Sequence, residues 1–204
     1  MPLHGDKRGY VNRVAAVLFG VTGVLTLLGI AMFAFYEPTY YDASTFGDYL
    51  SVALLSAALV MTGAGLIALW RDPPVQRGSL FLLFGGAGAV AMGLGNLVED
   101  AFDVGAGVWG FFIGGIVMLA SLVIAGVAAL TVDTPRRWSG LFLLFAAPGA
   151  TLGFGLVMMG VSWILFGLWL AYEHRGFVIA IVLAVVPAAA AILYLYADDL
   201  ELPG

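Results

Sequence analysis

The chain has 204 residues, of which 62% are hydrophobic and 10% are charged, with a formal net charge of -5. Soluble domains carry roughly 25% charged residues, so this composition excludes an ordinary water-soluble globule. The acidic balance excludes a nucleic-acid partner, since binding of that kind needs clustered positive charge, and the lack of cysteine excludes disulfides and thiolate metal sites. The sequence predicts one integral membrane domain over residues 1–204, with the lipid bilayer as its partner.

The apolar runs predict an all-α, polytopic transmembrane helical bundle. A helix of about 20 apolar residues crosses a hydrocarbon core of about 30 Å. The first run is too long for the roughly 7–15-residue core of a signal peptide, so we expect it to be retained. The predicted segments are a cytoplasmic tail over 1–13, spans over 14–36, 49–70, 78–98, 108–132, 138–155, 158–172 and 177–197, and an outer tail over 198–204.

The apolar tract over residues 138–172 decides the number of helices. One helix over this tract would be about 52 Å long at about 1.5 Å per residue, more than a bilayer needs. Two helices require a tight turn near 155–160, and each would then have about the minimum length that crosses a bilayer. One helix gives six spans in all, and two helices give seven.

The basic residues favour seven helices, because arginine and lysine concentrate in cytoplasmic loops. With seven helices and a cytoplasmic N-terminus, all eight basic residues share that side: Lys7, Arg8, Arg13, Arg71, Arg77, Arg136, Arg137 and Arg175. The six-helix alternative moves Arg175 outside. We therefore predict seven helices in the cell membrane, with the C-terminus outside.

One apolar phrase occurs twice. GSLFLLFGGAGA (78–89) returns as SGLFLLFAAPGA (139–150), each time just after arginines. In the seven-helix topology both copies open helices that run from inside to outside. We predict a leader helix followed by a duplicated helical hairpin, and a diverged third copy around ILFGLWLAY (164–172) is left open. Repeats of equal orientation form one of the two repeat classes of transporters.

Small residues recur four apart on most predicted helices, which allows the close backbone approach that drives helix association in lipid. The sets are Ala16 and Gly20; Gly85, Ala89 and Gly93; Ala106, Gly110 and Gly114; Gly149 and Gly153; Ala180, Ala184 and Ala188. They predict internal packing of the bundle, and a homo-oligomer or a membrane-protein partner on these faces is the alternative. Pro148 and Pro187 are expected to kink their helices. The segment DASTFGD (42–48) is expected to cap the second helix.

The spans carry no ionisable residue near their centres, where a proton-coupled transporter needs a carboxylate or histidine relay. Lys7 is the only lysine and precedes the first span, so a retinal Schiff base is excluded. The two histidines, His4 and His174, both lie at the predicted cytoplasmic edge, so they supply neither the inward histidines of a zinc hydrolase nor a histidine pair that holds haem between helices. We expect no cofactor and no catalytic residue.

One polar cluster ends the third helix in the segment GNLVEDAFD (95–103). Its members Asn96, Glu99, Asp100 and Asp103 are the candidate metal ligands, because Ca²⁺ and Mg²⁺ take oxygen ligands. The spacing matches no specific metal loop, and a hydrated acidic loop is the alternative reading. The three carboxylates are also the only plausible acid–base groups for an interfacial membrane hydrolase.

The stretch GAVAMGLGNLVED, followed by GFFIGGIVMLA, resembles small uncharacterised multi-pass membrane proteins of haloarchaea, in which a glycine-rich helix ends at a carboxylate. The resemblance covers roughly residues 78–130 and implies a membrane bundle without implying an activity. Members with a glutamate at this point often carry a histidine soon after, and residues 103–109 contain none. One lysine against thirteen acidic residues also indicates the salt-adapted composition of a halophilic archaeon.

These features predict a non-catalytic accessory, assembly or lipid-contacting membrane bundle. The alternative is a small permease or channel-like carrier, which the repeat and the proline-kinked helices favour. A central polar cavity lined by Asn96, Thr62 and Ser121 would indicate transport. A close-packed core would indicate the accessory role.

Overall fold

The computed structural model describes residues 5–36, 45–150 and 154–172, in which all regular structure is helical. The α-helices are α1 (Gly5–Tyr36), α2 (Phe46–Arg71), α3 (Leu80–Phe102), α4 (Ala106–Leu130), α5 (Ser139–Ala146) and α6 (Phe154–Tyr172). The predicted all-α helical bundle is confirmed. The predicted seventh helix over 177–197, with Pro187 and the outer tail, lies outside the described residues, so the count of seven stays a prediction.

Four of these helices are long and apolar enough to cross a membrane. They are the stretch Arg13–Met32 of α1 and the whole of α2, α3 and α4. Each has at least 20 residues, which corresponds to about 30 Å or more along the helix axis. The first helix begins earlier than we predicted, because residues 5–13 of the expected tail continue α1.

The start of α2 follows from its capping residues. Thr45 lies in an extended conformation, and its hydroxyl accepts from the backbone N–H of Asp48 at 3.3 Å. The Asp48 carboxylate in turn accepts from the backbone N–H of Thr45 at 2.8 Å. This reciprocal pair is a capping box, which satisfies two otherwise free backbone donors. The expectation that 42–48 caps the second helix is confirmed at Thr45.

The end of α3 lies four residues beyond the predicted end of its span at Val98. The helix ends at Asp103, which takes the left-handed conformation with φ 51°. The backbone N–H of Asp103 donates to the Glu99 carbonyl at 2.9 Å, and that of Val104 donates to the Val98 carbonyl at 3.2 Å. The bond from Asp103 to Glu99 is that of an αL helix ending, which usually carries glycine, and aspartate tolerates it better than most other residues.

The tract over 138–172 divides differently from our prediction. The α-helical part of its first half, α5, ends at Ala146 and continues as a 3₁₀ turn over Ala147–Ala150. Pro148 lies in this turn, and its missing N–H removes one bond of an α-helical ladder. The predicted turn at 155–160 is wrong, since these residues lie inside α6, which begins at Phe154.

The helices form a ring in chain order. Each one packs against the next, and α6 packs against α1. A Cβ added at Gly63 on α2 would lie 2.6 Å from the Gly86 carbonyl oxygen on α3, and a Cβ added at Gly88 on α3 would lie 2.7 Å from that of Gly114 on α4. Helices that touch at such short range must place glycine at the contact. The small residues of these helices are therefore used inside the bundle.

The first and last described helices close this ring. Gly23 of α1 lies against Ile164 of α6, and Gly167 of α6 lies against Ala16 of α1. From the first contact to the second, the residue number falls on α1 and rises on α6. The two helices therefore run in opposite directions. The Phe19 ring stacks on Trp163 across the same interface, with centroids 4.6 Å apart.

The alternating helix directions sort the charges to the two ends of the bundle. One end, called the basic end, lies where α2 ends and α3 begins and carries Arg71, Arg77, Arg136 and Arg137. The opposite end, called the acidic end, carries Asp48, Glu99, Asp100 and Asp103. This separation agrees with the charge pattern that we used to predict the topology.

Candidate functional site

The four candidate metal ligands lie near one another in the chain but have different roles. Glu99 and Asp100 are half-buried in the last turn of α3, and Asp103 is exposed at the cap position. Asn96, one turn before Glu99, points between two helices. Its side-chain amide donates to the Ser56 hydroxyl on α2 at 3.0 Å. The amide therefore joins α3 to α2 rather than standing ready for a cation.

The carboxylates of the acidic end do not assemble into a metal site in the described part of the chain. No group of three or more histidine, cysteine or acidic side chains there is arranged to hold a metal ion. Asp48, which lies at the same end, uses its carboxylate in the capping box with Thr45. The described geometry therefore gives no support to a divalent-cation site built on Glu99, Asp100 and Asp103.

The three residues that would mark a central polar cavity are spread along the bundle. Asn96 contacts Ser56 near the acidic end, whereas Ser121 packs beside Gly85, and its Cβ lies 3.3 Å from the Cβ position of that glycine. Gly85 and Asn96 are eleven residues apart on α3, which is about 16 Å along the axis. Thr62 lies on α2 between these two levels. The structure does not bring the three together.

Stacked aromatic rings fill the core where α1, α5 and α6 meet. Trp163 is fully buried and stacks on Phe19, and Phe166 lies 5.4 Å from Phe142 between ring centroids. Trp169 extends the stack, with its ring 5.9 Å from that of Phe166. Sequence reasoning missed this cluster. Its signal is the spacing of three between positions 163, 166 and 169, which places these aromatics along one side of α6.

Three buried polar atoms have no hydrogen-bond partner among the described residues. They are the hydroxyls of Thr22 and Thr62 and the indole N–H of Trp163. Such hydroxyls often bond back to their own helix, as Thr26 does to the Thr22 carbonyl at 2.9 Å. Buried polar groups are usually paired, so this group is unusual.

These three side chains lie at one level of the bundle. Gly65 of α2 lies against the Phe19 ring of α1. Thr22 follows Phe19 by three residues and Thr62 precedes Gly65 by three, and because α1 and α2 are antiparallel, both steps lead to the same level. Trp163 stacks on the same Phe19 ring. We call Thr22, Thr62 and Trp163 the polar layer. It lies near the middle of α1 and α6 and is fully buried.

No protein-family model, curated protein or solved structure matches this chain.

Proposed function

We propose that the chain is a multi-pass integral membrane protein whose described helices face lipid on their outer side. The observation that carries the proposal is the apolar outer surface of the ring. Val17 on α1 and Trp109 and Ile116 on α4 are 65%, 69% and 67% exposed. Contiguous apolar patches of this kind are rare on soluble monomers and normal where lipid is the solvent.

The proposed topology places the basic end in the cytoplasm and the acidic end outside. The described arginines support this orientation, since positive loops are retained in the cytoplasm. In the ring, α6 ends at the same end at which α1 begins. One further span over 177–197 therefore takes the C-terminus to the outer side.

Fractionation and end-tagging test this placement. We expect the chain to stay in the membrane pellet after alkaline carbonate extraction, because its outer surface is apolar. A fluorescent protein that folds only in the cytoplasm should fluoresce at the N-terminus, and alkaline phosphatase should be active at the C-terminus. Release by carbonate would contradict membrane insertion. If both reporters showed a cytoplasmic location, the number of spans would be six and not seven.

We further propose that the protein has a non-catalytic accessory, assembly or lipid-contacting role. The support is a core filled by side chains, with Trp163, Phe166, Met92 and Met118 almost completely buried. Helix contacts at glycine leave little room between backbones. Purified protein in phosphatidylcholine vesicles should leave osmotic swelling in small neutral solutes equal to that of protein-free vesicles. A solute-specific increase in swelling would contradict the accessory role.

A small carrier is the second candidate, and the polar layer is the observation that favours it. Unpaired hydroxyls at the middle of a span offer hydrogen bonds to a passing polar solute. Under the accessory proposal they serve no solute, and removing them relieves the cost of burying an unpaired group, about 1–3 kcal/mol.

Valine substitutions in the polar layer separate the two candidates. Thr22→Val and Thr62→Val keep the shape of the side chain, and we expect each to leave the stability in detergent unchanged or raise it by up to about 1 kcal/mol. Thr26→Val is the matched control, because the Thr26 hydroxyl has a partner at 2.9 Å and its loss brings no such gain. A swelling signal that exists in the parent and disappears in Thr22→Val or Thr62→Val would favour the carrier.

A further inference from the structure

A small pocket at the basic end lies where five helices converge. Its volume is about 10 Å³, close to the roughly 10–15 Å³ that one water-sized group requires. The apolar wall is shared by all five helices and consists of Leu69, Leu82, Ala129, Leu143 and Phe166. Three side chains with polar heads also line the pocket, namely Arg77, Ser79 and Ser139.

Ser139 is the first indication that the pocket takes a ligand. Its side chain lies at the start of α5 and is only 3% exposed. Its hydroxyl makes no hydrogen bond with the described part of the chain, whereas the buried Ser162 hydroxyl donates to the Phe142 carbonyl at 2.6 Å. The Ser139 oxygen is not one of the three fully buried atoms without a partner, so it keeps accessible surface, and the pocket that Ser139 lines is where a bound group can reach it.

The loop before α3 supplies the other polar groups. Gly78 has a φ of +80°, and a Cβ added to it would lie 2.7 Å from the Ala128 Cβ on α4. This close contact holds the loop against α4 and fixes Arg77 and Ser79 on either side of the glycine. The Ser79 side chain makes no capping hydrogen bond, and it directly precedes the N-terminus of α3, whose dipole favours an anion.

The charges around the pocket also favour an anion. Arg77 is exposed at its mouth and has no ion pair with the described residues. Among the side chains that the structure describes at this end, two are aspartates: Asp133 is 4.0 Å from Arg137, and Asp72 has an interaction partner of its own. The Arg77 guanidinium is therefore available to a ligand, and guanidinium groups recognise phosphate with paired hydrogen bonds.

We propose that this pocket is a binding site for a phosphate group. One phosphate oxygen enters the pocket and accepts from the hydroxyls of Ser79 and Ser139, and the remaining oxygens stay at the mouth beside Arg77. The two copies of the repeated phrase thus each contribute a serine to one site, since Ser79 is the second residue of the first copy and Ser139 is the first residue of the second. The site does not depend on the proposed accessory role. Only a lipid source of the phosphate depends on the proposed membrane placement.

The test compares two phosphate sources on the purified, delipidated full chain in detergent. Inorganic phosphate is titrated by calorimetry, and dioleoylphosphatidylglycerol is titrated by native mass spectrometry, with dioleoylglycerol as the lipid that lacks phosphate. We expect at least one phosphate probe to bind and dioleoylglycerol not to bind. The double variant Arg77→Gln with Ser139→Ala should bind about tenfold or more weakly, because it removes a charged and a buried donor.

Arg136→Gln is the matched control, since Arg136 is an exposed arginine of the basic end that does not line the pocket. It should retain binding within about twofold, because exposed charges are screened. If inorganic phosphate binds, a free anion is sufficient to occupy the site. If only the phospholipid binds, the site requires the phosphate of a lipid headgroup. Both results support the site. Failure of both probes, an unchanged double variant, or an equal loss in Arg136→Gln would overturn it.

Discussion

Gly88→Ala should destabilise the bundle by about 1–3 kcal/mol, the usual cost of forcing extra atoms into a packed contact. The added methyl would lie 2.7 Å from the carbonyl oxygen of Gly114 and 2.7 Å from the backbone nitrogen of Met118. Both atoms belong to the backbone of α4, so no side-chain rotation can make room. The helices must separate, and the close contact between α3 and α4 is lost. Unfolding in mixed detergent micelles, followed by circular dichroism, measures the change.

Gly20→Ala is the matched control for this prediction. Gly20 is also a helical glycine, but a Cβ at this position would meet no atom within 4 Å. Alanine favours a helix over glycine by roughly 1 kcal/mol, so this variant should be as stable as the parent or more stable. Equal destabilisation by the two substitutions would show that the loss at Gly88 does not come from the α3–α4 contact.

Trp163→Ala should cost about 3–5 kcal/mol, the range found when a large buried aromatic side chain is truncated. Trp163 is completely buried and stacks on Phe19, with Phe166 6.1 Å away between ring centroids. Its loss opens a void between α1 and α6, which is the contact that closes the ring. A lower thermal midpoint in detergent, together with easier protease cleavage, is the expected readout.

Trp109→Ala and Trp163→Phe are the control variants that test whether the loss comes from the buried aromatic stack. Trp109 is 69% exposed on α4, so its removal should leave the stability in detergent nearly unchanged. Trp163→Phe keeps a stacked ring and removes the unpaired indole N–H, so it should recover much of the loss. If Trp109→Ala were as damaging as Trp163→Ala, the aromatic stack would not be what stabilises the ring.

Much of the helical layout could be predicted because membrane helices are long and their ends carry local signals. The predicted second span, 49–70, lies within α2, whose start is set by Thr45 and Asp48 and whose end precedes two prolines. The spacing of small residues on the third and fourth helices predicted internal packing, which is confirmed at Gly93 and Gly114, where an added Cβ would lie 2.8 Å from the Ser56 carbonyl oxygen and 2.6 Å from the Gly88 carbonyl oxygen. These features depend on residues that are near one another in the sequence.

The remainder depends on contacts between distant residues, which sequence patterns do not specify. The division of 138–172 was misplaced because the tract was divided into two helices of similar length, whereas Pro148 limits α5. Asn96 was a candidate metal ligand because its neighbours are acidic, yet its partner, Ser56, is 40 positions away. The aromatic stack joins three helices in the same way. The 28 glycines make the helices of this chain resemble one another, so no local pattern shows which distant residue will be the partner.

The contact between α1 and α6 has a consequence for biosynthesis. The ring surface of α1 that includes Phe19 finds its partner, Trp163, only after more than 140 further residues have been synthesised. Helices that are neighbours in the chain can pair as soon as both have been synthesised, whereas the face of Phe19 that stacks on Trp163 stays uncovered until α6 has been made. Such long-range closure is slow and leaves an incomplete intermediate open to wrong pairing. Truncation after α5 should therefore yield a nascent chain that is degraded or held by an insertion chaperone.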